Sequence, residues 1–234
     1  KSELYEYLIK NKKSIFLNAD DSIQLEKLKN YTKKYGFSSV NPKYYKIELE
    51  EAQPFVIIKV EDTIIKSNLI GAYNFHNCCA AIIIGKYFNV ELKEIKIALE
   101  KFIPENNRSQ IIQKNDHYII LDAYNANPSS MKVALENFKS LEKTNKVLIL
   151  GDMFELGESA KEEHQAIIDL TKTLQFENIL FVGENFYRTQ TSSIKLKNFE
   201  ELKAYLSQNN LQANSTILIK GSRGMALERV LDCL

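Results

Sequence analysis

The sequence predicts an α/β chain in two parts, the second built on a mainly parallel sheet. Three observations carry this. Beyond residue 107, short apolar runs alternate with longer runs of helical periodicity, which is how strands and the helices that cover them read. Before residue 103, segments rich in β-branched and aromatic residues flank Glu61-Asp62, as the strands of a hairpin flank their turn. Between the two parts, Ile103-Pro104-Glu105-Asn106-Asn107 holds one of only four prolines and two asparagines. Such a segment ends one helix and precedes a new strand, so the expected division is 1–103 and 104–234.

Each element follows from local pattern. Leu4, Tyr5, Leu8 and Ile9 recur at helical spacing, giving a helix that ends near Asn11. Ser14 to Leu17 is a short strand. Asp20 or Asp21 can cap the next helix, with Ile23, Leu25 and Leu28 facing inward. Tyr44 to Leu49, Phe55 to Val60 and Thr63 to Lys66 form an antiparallel patch. Asn74 to Phe88 is an apolar helix, and Leu92 to Phe102 another. In the second part, strands are expected at Gln110 to Gln113, His117 to Leu121, Lys146 to Leu150, Asn178 to Val182 and Thr216 to Ile219. Helices are expected at Pro128 to Leu141, Ser159 to Leu174, Glu200 to Ser207 and Gly224 to Leu234.

Composition bounds the function. Hydrophobic residues make up 44% and charged residues 26% of the 234, which excludes a wholly disordered chain. A formal net charge of +1 gives no overall field to gather nucleic acid or an anionic membrane. The longest apolar runs, such as Ala80 to Ile84 and Val147 to Leu150, are too short to cross a bilayer. The charged opening KSELYEYLIK is no signal peptide. Cys78, Cys79 and Cys233 have neither disulfide nor zinc spacing, which fits a reducing cytoplasm. The chain starts at Lys1, without methionine and inside a helical pattern, so it is expected to be a piece of something longer.

Parallel sheets bind ligands beyond the carboxyl ends of their strands, and three strand ends here are crowded with polar groups. Asp122-Ala-Tyr-Asn-Ala-Asn-Pro ends the first. Asn127 and Pro128 are explained by a capped helix start, whereas Asp122 and Asn125 add polar groups that a cap does not need. Gly151-Asp-Met-Phe-Glu-Leu-Gly ends the second, where Asp152 can bond nearby amides of its own turn. Lys220-Gly-Ser-Arg-Gly ends the third. Free amides of a following helix, with Lys220 and Arg223, can hold an anion there, and a basic turn explains it equally well. No G-x-x-x-x-G-K-[ST] phosphate loop occurs in the chain. Asn74 and Asn77 share one helix face, and each amide offers the donor and acceptor that a purine edge needs; an N-cap with a polar first turn is the simpler account. Arg108 follows the linker, where it is either a phosphate ligand or a surface residue. His76, His117 and His164 have no metal spacing, and His164, behind Glu162 and Glu163, reads as part of a solvated face. Cys78 and Cys79 read as buried.

Taken together, KSELYEYL, LNADD, GAYNFHNCCAA, NRSQ, LDAYNANPSSMKVALENF, LGDMFELGESAKEEH and IKGSRGMALE resemble, in order, the C-terminal part of the Mur ligase family. DAYNANPSSM, GDMFELG and KGSRGM point to its D-alanyl-D-alanine-adding branch. The resemblance implies the back half of a central ATPase domain over 1–103, followed by a Rossmann-like ligase domain over 104–234. It implies ATP-dependent amide formation through an acyl phosphate, joining D-alanyl-D-alanine to UDP-N-acetylmuramoyl-tripeptide for peptidoglycan. ATP and Mg2+ are the implied cofactors. A cytoplasmic monomer without nucleic-acid partners or membrane insertion is the implied state. The family's phosphate loop, magnesium ligands and UDP-binding domain would precede Lys1, so residues 1–234 alone are expected to make no amide bond. A nucleotide- or dipeptide-binding module of the same fold, without catalysis, is the alternative.

The same resemblance places Asn74 and Asn77 at the adenine, Arg108 at the ATP phosphates and Asp122 at the ribose. Tyr73 stands where many members have histidine. Asn125, Asn127, Lys220, Ser222 and Arg223 would face the incoming dipeptide or the acyl phosphate, with Arg108 and Lys220 as the catalytic cations. Lys1 falls where the family carries a carbamylated lysine that holds a magnesium ion. Asp122→Asn keeps the shape and some hydrogen bonding, so its cost to the fold is expected to be small.

Overall fold

The structure is a computed structural model that describes residues 2–234. The chain divides into two compact units, Lys1–Ile103 and Pro104–Leu234.

The first unit opens with α1 (Ser2–Lys10), β1 (Ile15–Asn18), α2 (Ser22–Leu28), β2 (Lys34–Ser38) and β3 (Tyr45–Lys46). The three strands form a parallel sheet in that order. Asp21 is the cap of α2, its side chain accepting from the amides of Ile23 and Gln24. Asp20 turns elsewhere: it accepts from Ser38 Oγ, from Ser39 N at 2.8 Å and from Ser39 Oγ at 2.7 Å. Leu28 is buried, but Ile23 is 69% exposed, so the expectation that Ile23 faces inward is corrected. The single strand expected over Tyr44 to Leu49 is also corrected. β3 pairs with β2, while β4 (Glu48–Glu51) joins an antiparallel sheet with β5 (Phe55–Val60) and β6 (Thr63–Ile70). The chain changes sheets at Ile47, which is fully buried between the two.

Glu61, with φ 52°, makes the β5–β6 turn, so Val60 pairs with Thr63. Val56, Ile58 and Val60 alternate inward along β5. They join one core with Phe75, Cys78, Cys79 and Ile82 of α3 (Tyr73–Tyr87) and Ile95 of α4 (Leu92–Lys101). Fully burying each such aliphatic side chain contributes about 1.5–3 kcal/mol.

The second unit runs β7 (Gln110–Lys114), β8 (His117–Asp122), α5 (Pro128–Ser140), β9 (Lys146–Gly151), α6 (Ala160–Thr173), β10 (Asn178–Val182), α7 (Glu184–Tyr187), β11 (Ile194–Leu196), α8 (Phe199–Gln208) and β12 (Thr216–Lys220). Its sheet has the order β11-β10-β9-β12-β8-β7. β8 to β12 pair in parallel, and β7 is antiparallel to β8. Burial on both faces explains why β9 and β12 read as continuous apolar runs. One face gathers Leu121, Ile149, Val182 and Ile219 with Leu202, Leu206 and Leu227. Asn127 caps α5 in a capping box with Ser130, and Pro128 takes the first turn.

Two short elements, α7 and β11, have no counterpart in the expectation. The helix expected over Gly224 to Leu234 is corrected to two 3-10 segments, Arg223–Met225 and Leu227–Cys233. Ala226, at φ 47°, is left-handed and separates them. The turn seats Leu227 over two glycines, since a Cβ on Gly221 would stand 2.8 Å from Leu227 Cδ1 and one on Gly151 2.6 Å from the same atom.

Candidate active site

Parallel pairing brings the ends of β8, β12, β9 and β10 side by side, and each exits into a polar loop. Asp122 and Lys220 occupy the same rung of β8 and β12. Lys220 Nζ donates to Asp122 Oδ2 at 2.6 Å and to the carbonyl of Asn125 at 3.2 Å. Ser109 N donates to the other carboxylate oxygen at 3.2 Å. Lys220 is 2% exposed, so its charge is tolerated through these partners. It belongs to the floor of the site, and the segment that follows it opens as a 3-10 turn, Arg223–Met225, in place of the α-helix start expected there.

The strand-end loop holds the segment before β7 in place. Tyr124 N donates to the carbonyl of Asn107 at 3.1 Å. Asn106, Asn107 and Ser109 have φ of 61°, 60° and 48°, left-handed values that non-glycine residues adopt at a cost. Between them Arg108 lays its guanidinium 3.9 Å from the centre of the Tyr124 ring. Arg223 reaches the same ring at 5.7 Å. Arg108, Arg223, Tyr124 and Asn125 are all exposed. Asn125 Oδ1 accepts from Ala126 N at 2.8 Å. Asn127 Oδ1 accepts from Ser130 N and Ser129 Oγ, which leaves only its amide hydrogens for a ligand.

The β9 exit is braced from below. Asp152 is buried, and the expectation that it bonds amides of its own turn is corrected. It accepts from Asn185 N and Phe186 N, both at 2.9 Å, where α7 begins after β10. Ser222 N donates to the carbonyl of Asp152 at 3.0 Å, and Ser222 Oγ accepts from Phe154 N at 2.8 Å. Ser222 is thus a buried tie between the β12 and β9 loops. His164 is fully buried, which corrects its reading as a solvated residue. Its Nε2 accepts from Met153 N at 3.0 Å, so Nδ1 carries the hydrogen and donates to the carbonyl of Ala160 at 2.6 Å. The ring also meets Phe186 edge-on at 4.6 Å. Sequence reasoning missed this role of His164 because Glu162 and Glu163 dominate its neighbourhood, while its partner amide lies 11 positions away.

In the first unit, Asn74 is buried and donates to the carbonyl of Ile70 at 2.8 Å. Its Oδ1 accepts from Asn77 Nδ2 at 2.9 Å. Ala72, not Asn74, is the N-cap residue of α3. The exposed Asn77 amide is therefore oriented by its neighbour and keeps an acceptor and a donor open, which fits the edge of a purine. Burial beneath it pushes the thiols of Cys78 and Cys79 up. Among the described residues, no three His, Cys, Asp or Glu side chains gather to hold a metal ion. Lys1, the expected magnesium-holding position, lies outside the described residues. No helix is long and apolar enough to cross a membrane among them.

Residues 107–223, spanning every strand end of this site, match the model of the Mur ligase, glutamate ligase domain. The chain belongs to the Mur ligase family. The UDP-N-acetylmuramoyl-tripeptide–D-alanyl-D-alanine ligase of Bacillus subtilis is 30% identical over 217 residues, covering 87% of this chain and 47% of the relative. The enzyme of the same name from Borreliella burgdorferi is 30% identical over 171 residues, 70% of this chain and 37% of the relative. A crystal structure of MurF from Acinetobacter baumannii superposes with a TM-score of 0.75 at 25% identity, over 93% of this chain and 51% of that one. MurF ligase from Thermotoga maritima in complex with ADP has the same fold, with a TM-score of 0.74 at 19% identity over 94% of this chain and 52% of that one. The chain thus spans less than half the length of these two curated Mur ligases.

Proposed function

We propose that this chain serves ATP-dependent amide formation, adding D-alanyl-D-alanine to UDP-N-acetylmuramoyl-tripeptide in peptidoglycan synthesis in the cytoplasm. The observation that carries the reading is the clamp at the end of β8. Asp122 and Tyr124 hold the backbone on either side of Arg108, so a cation stands ready at the strand end where such sheets bind ligands. The names of the relatives support the substrates, and the ADP complex of the Thermotoga maritima enzyme supports the nucleotide.

Each residue then has a task. Asn77, oriented by Asn74, reads the adenine edge. Arg108 neutralises charge on the phosphates as it shifts during transfer. Asp122 has further lone pairs for a ribose hydroxyl while it anchors Lys220 and Ser109. Asn125, exposed, faces the incoming dipeptide, and Arg223, also exposed, faces the acyl phosphate; Asn127 and Ser222 shape the loops that carry them. Lys220 sets the charge of the floor. ATP, when bound, supplies the phosphoryl group that activates the tripeptide carboxylate. Mg2+ would be held outside the described residues.

The test uses the complete gene product, purified as a monomer. Phosphate release from ATP is expected only when both the UDP-linked tripeptide and D-alanyl-D-alanine are present. Arg108→Ala removes a charge-assisted contact worth about 1.5–3 kcal/mol, lowering turnover on the order of ten- to a hundredfold. Its melting temperature should stay that of the parent, because Arg108 makes no ion pair among the described residues. No substrate-dependent release, or full turnover in Arg108→Ala, overturns the reading.

A further inference from the structure

Two guanidinium groups converge on one exposed tyrosine. Arg108 lies 3.9 Å and Arg223 5.7 Å from the centre of the Tyr124 ring, both within the ~6 Å reach of a cation–π contact. Arg108 comes from the segment before β7 and Arg223 from the loop after β12, so the ring is what these two separate chain segments share. Among the described residues, neither guanidinium has a carboxylate partner or a hydrogen bond. Like charges repel, and a ring quadrupole alone repays little of that at an exposed position. The backbone that carries the ring is held: Asp122 is tied to Lys220, Ala123 is buried, and Tyr124 N is bonded to the carbonyl of Asn107.

We propose that Tyr124 is a positioning residue that presents Arg108 and Arg223 as a pair to one phosphoryl group. This rests on the reading of Arg108 as a phosphate ligand and extends it to a second cation and to the residue that aligns both. Two planar forks offer up to ten N–H donors and two full charges. A carboxylate has one charge and two oxygens, which one fork satisfies. A phosphoryl group carries up to about two charges on three oxygens and matches the pair. Stacking on the ring removes rotamer freedom from each arginine before the ligand arrives, so less is lost on binding.

Two measurements test this. In the 234-residue chain, the side-chain Nε–H groups of Arg108 and Arg223 are followed by heteronuclear NMR relaxation. Both should be ordered in the parent, mobile in Tyr124→Leu and ordered again in Tyr124→Phe, which keeps the ring. In the complete gene product, Tyr124→Leu should raise the KM for ATP about tenfold. It should leave the KM for D-alanyl-D-alanine and the melting temperature unchanged, and Tyr124→Phe should restore the parent value. Unchanged arginine relaxation in Tyr124→Leu, failure of Tyr124→Phe to rescue, or a rise in the dipeptide KM instead would overturn the proposal. An Arg108→Ala protein with parent turnover would sink the phosphate reading, while the relaxation data would still decide whether Tyr124 aligns the two arginines.

Discussion

Lys220 and Asp122 are 98 positions apart, yet they share a rung of neighbouring strands and meet at 2.6 Å. The lysine side chain is 2% exposed and that of the aspartate 17%, so the ammonium is the more deeply trapped charge.

This asymmetry predicts unequal losses. Asp122→Asn strands the buried ammonium and should cost about 3 kcal/mol; Lys220→Met leaves a carboxylate that still reaches water and should cost less, about 1–2 kcal/mol. The buried partner thereby changes the expectation that Asp122→Asn, which keeps the shape and some hydrogen bonding, is cheap. Urea unfolding of both variants measures the order. Equal midpoints for Asp122→Asn and the parent would mean the pair does not couple to the fold.

Gly183 should tolerate no side chain. Its φ of 124° is disfavoured for L-residues, and an added Cβ would stand 2.2 Å from Asp152 Cγ. Gly183→Ala must displace the carboxylate that caps α7, with a loss of about 3 kcal/mol or more. Thermal melting checks this, and a melting point within a degree or so of the parent would contradict it.

The thiols should divide cleanly. Cys78 and Cys79 are buried, and burial pushes both thiols up, so little thiolate forms. Cys233 is only partly covered. A thiol-specific reagent at neutral pH should modify Cys233 alone in the native chain and all three after denaturation. Rapid native labelling of Cys78 or Cys79 would show that the α3 core opens readily.

Acid should weaken the first unit through Asp20. Burial raises its carboxyl, but hydrogen bonds from Ser38 and Ser39 outweigh that and hold it below the ordinary range, with a smaller contribution from His76. A carboxyl lowered in the fold stabilises it fully above its unfolded value, about 3.9. That contribution fades as pH falls through the lower folded value. Asp20→Asn should therefore lose stability at pH 7 and show a flatter decline than the parent between about pH 5 and 2. Parallel acid profiles for the two proteins would remove Asp20 as a source of the slope.

Much of the second unit could be read from its residues, because each of β8, β9, β10 and β12 is an apolar run that stops at a polar cluster, and Asn127-Pro128 announces α5. The Asp122 and Lys220 strand ends were visible for the same reason. Their pairing was not, since nothing local says which strands become neighbours. β2, as Lys-Tyr-Gly-Phe-Ser, lacks alternation and gains its shape from β1 and β3. α7 and β11 are too short to show a period. His164 looks solvated until Met153 supplies its partner, and a left-handed Ala226 breaks a pattern that would otherwise continue as a helix.

The sheet order has a consequence for how the second unit comes into being. β12 is its last strand in the chain, but it lies between β8 and β9 in the middle of the sheet. The β7–β8 hairpin closes locally and can form early, whereas every pairing of β12 spans a long stretch of chain and must wait. Until residues 216–220 leave the ribosome, the hairpin and the β9–β10 pair have no strand to join them, and Asp122 has no counter-charge. A nascent chain stalled before Thr216 should be protease-sensitive throughout the unit, with protection arriving in a single step once β12 inserts.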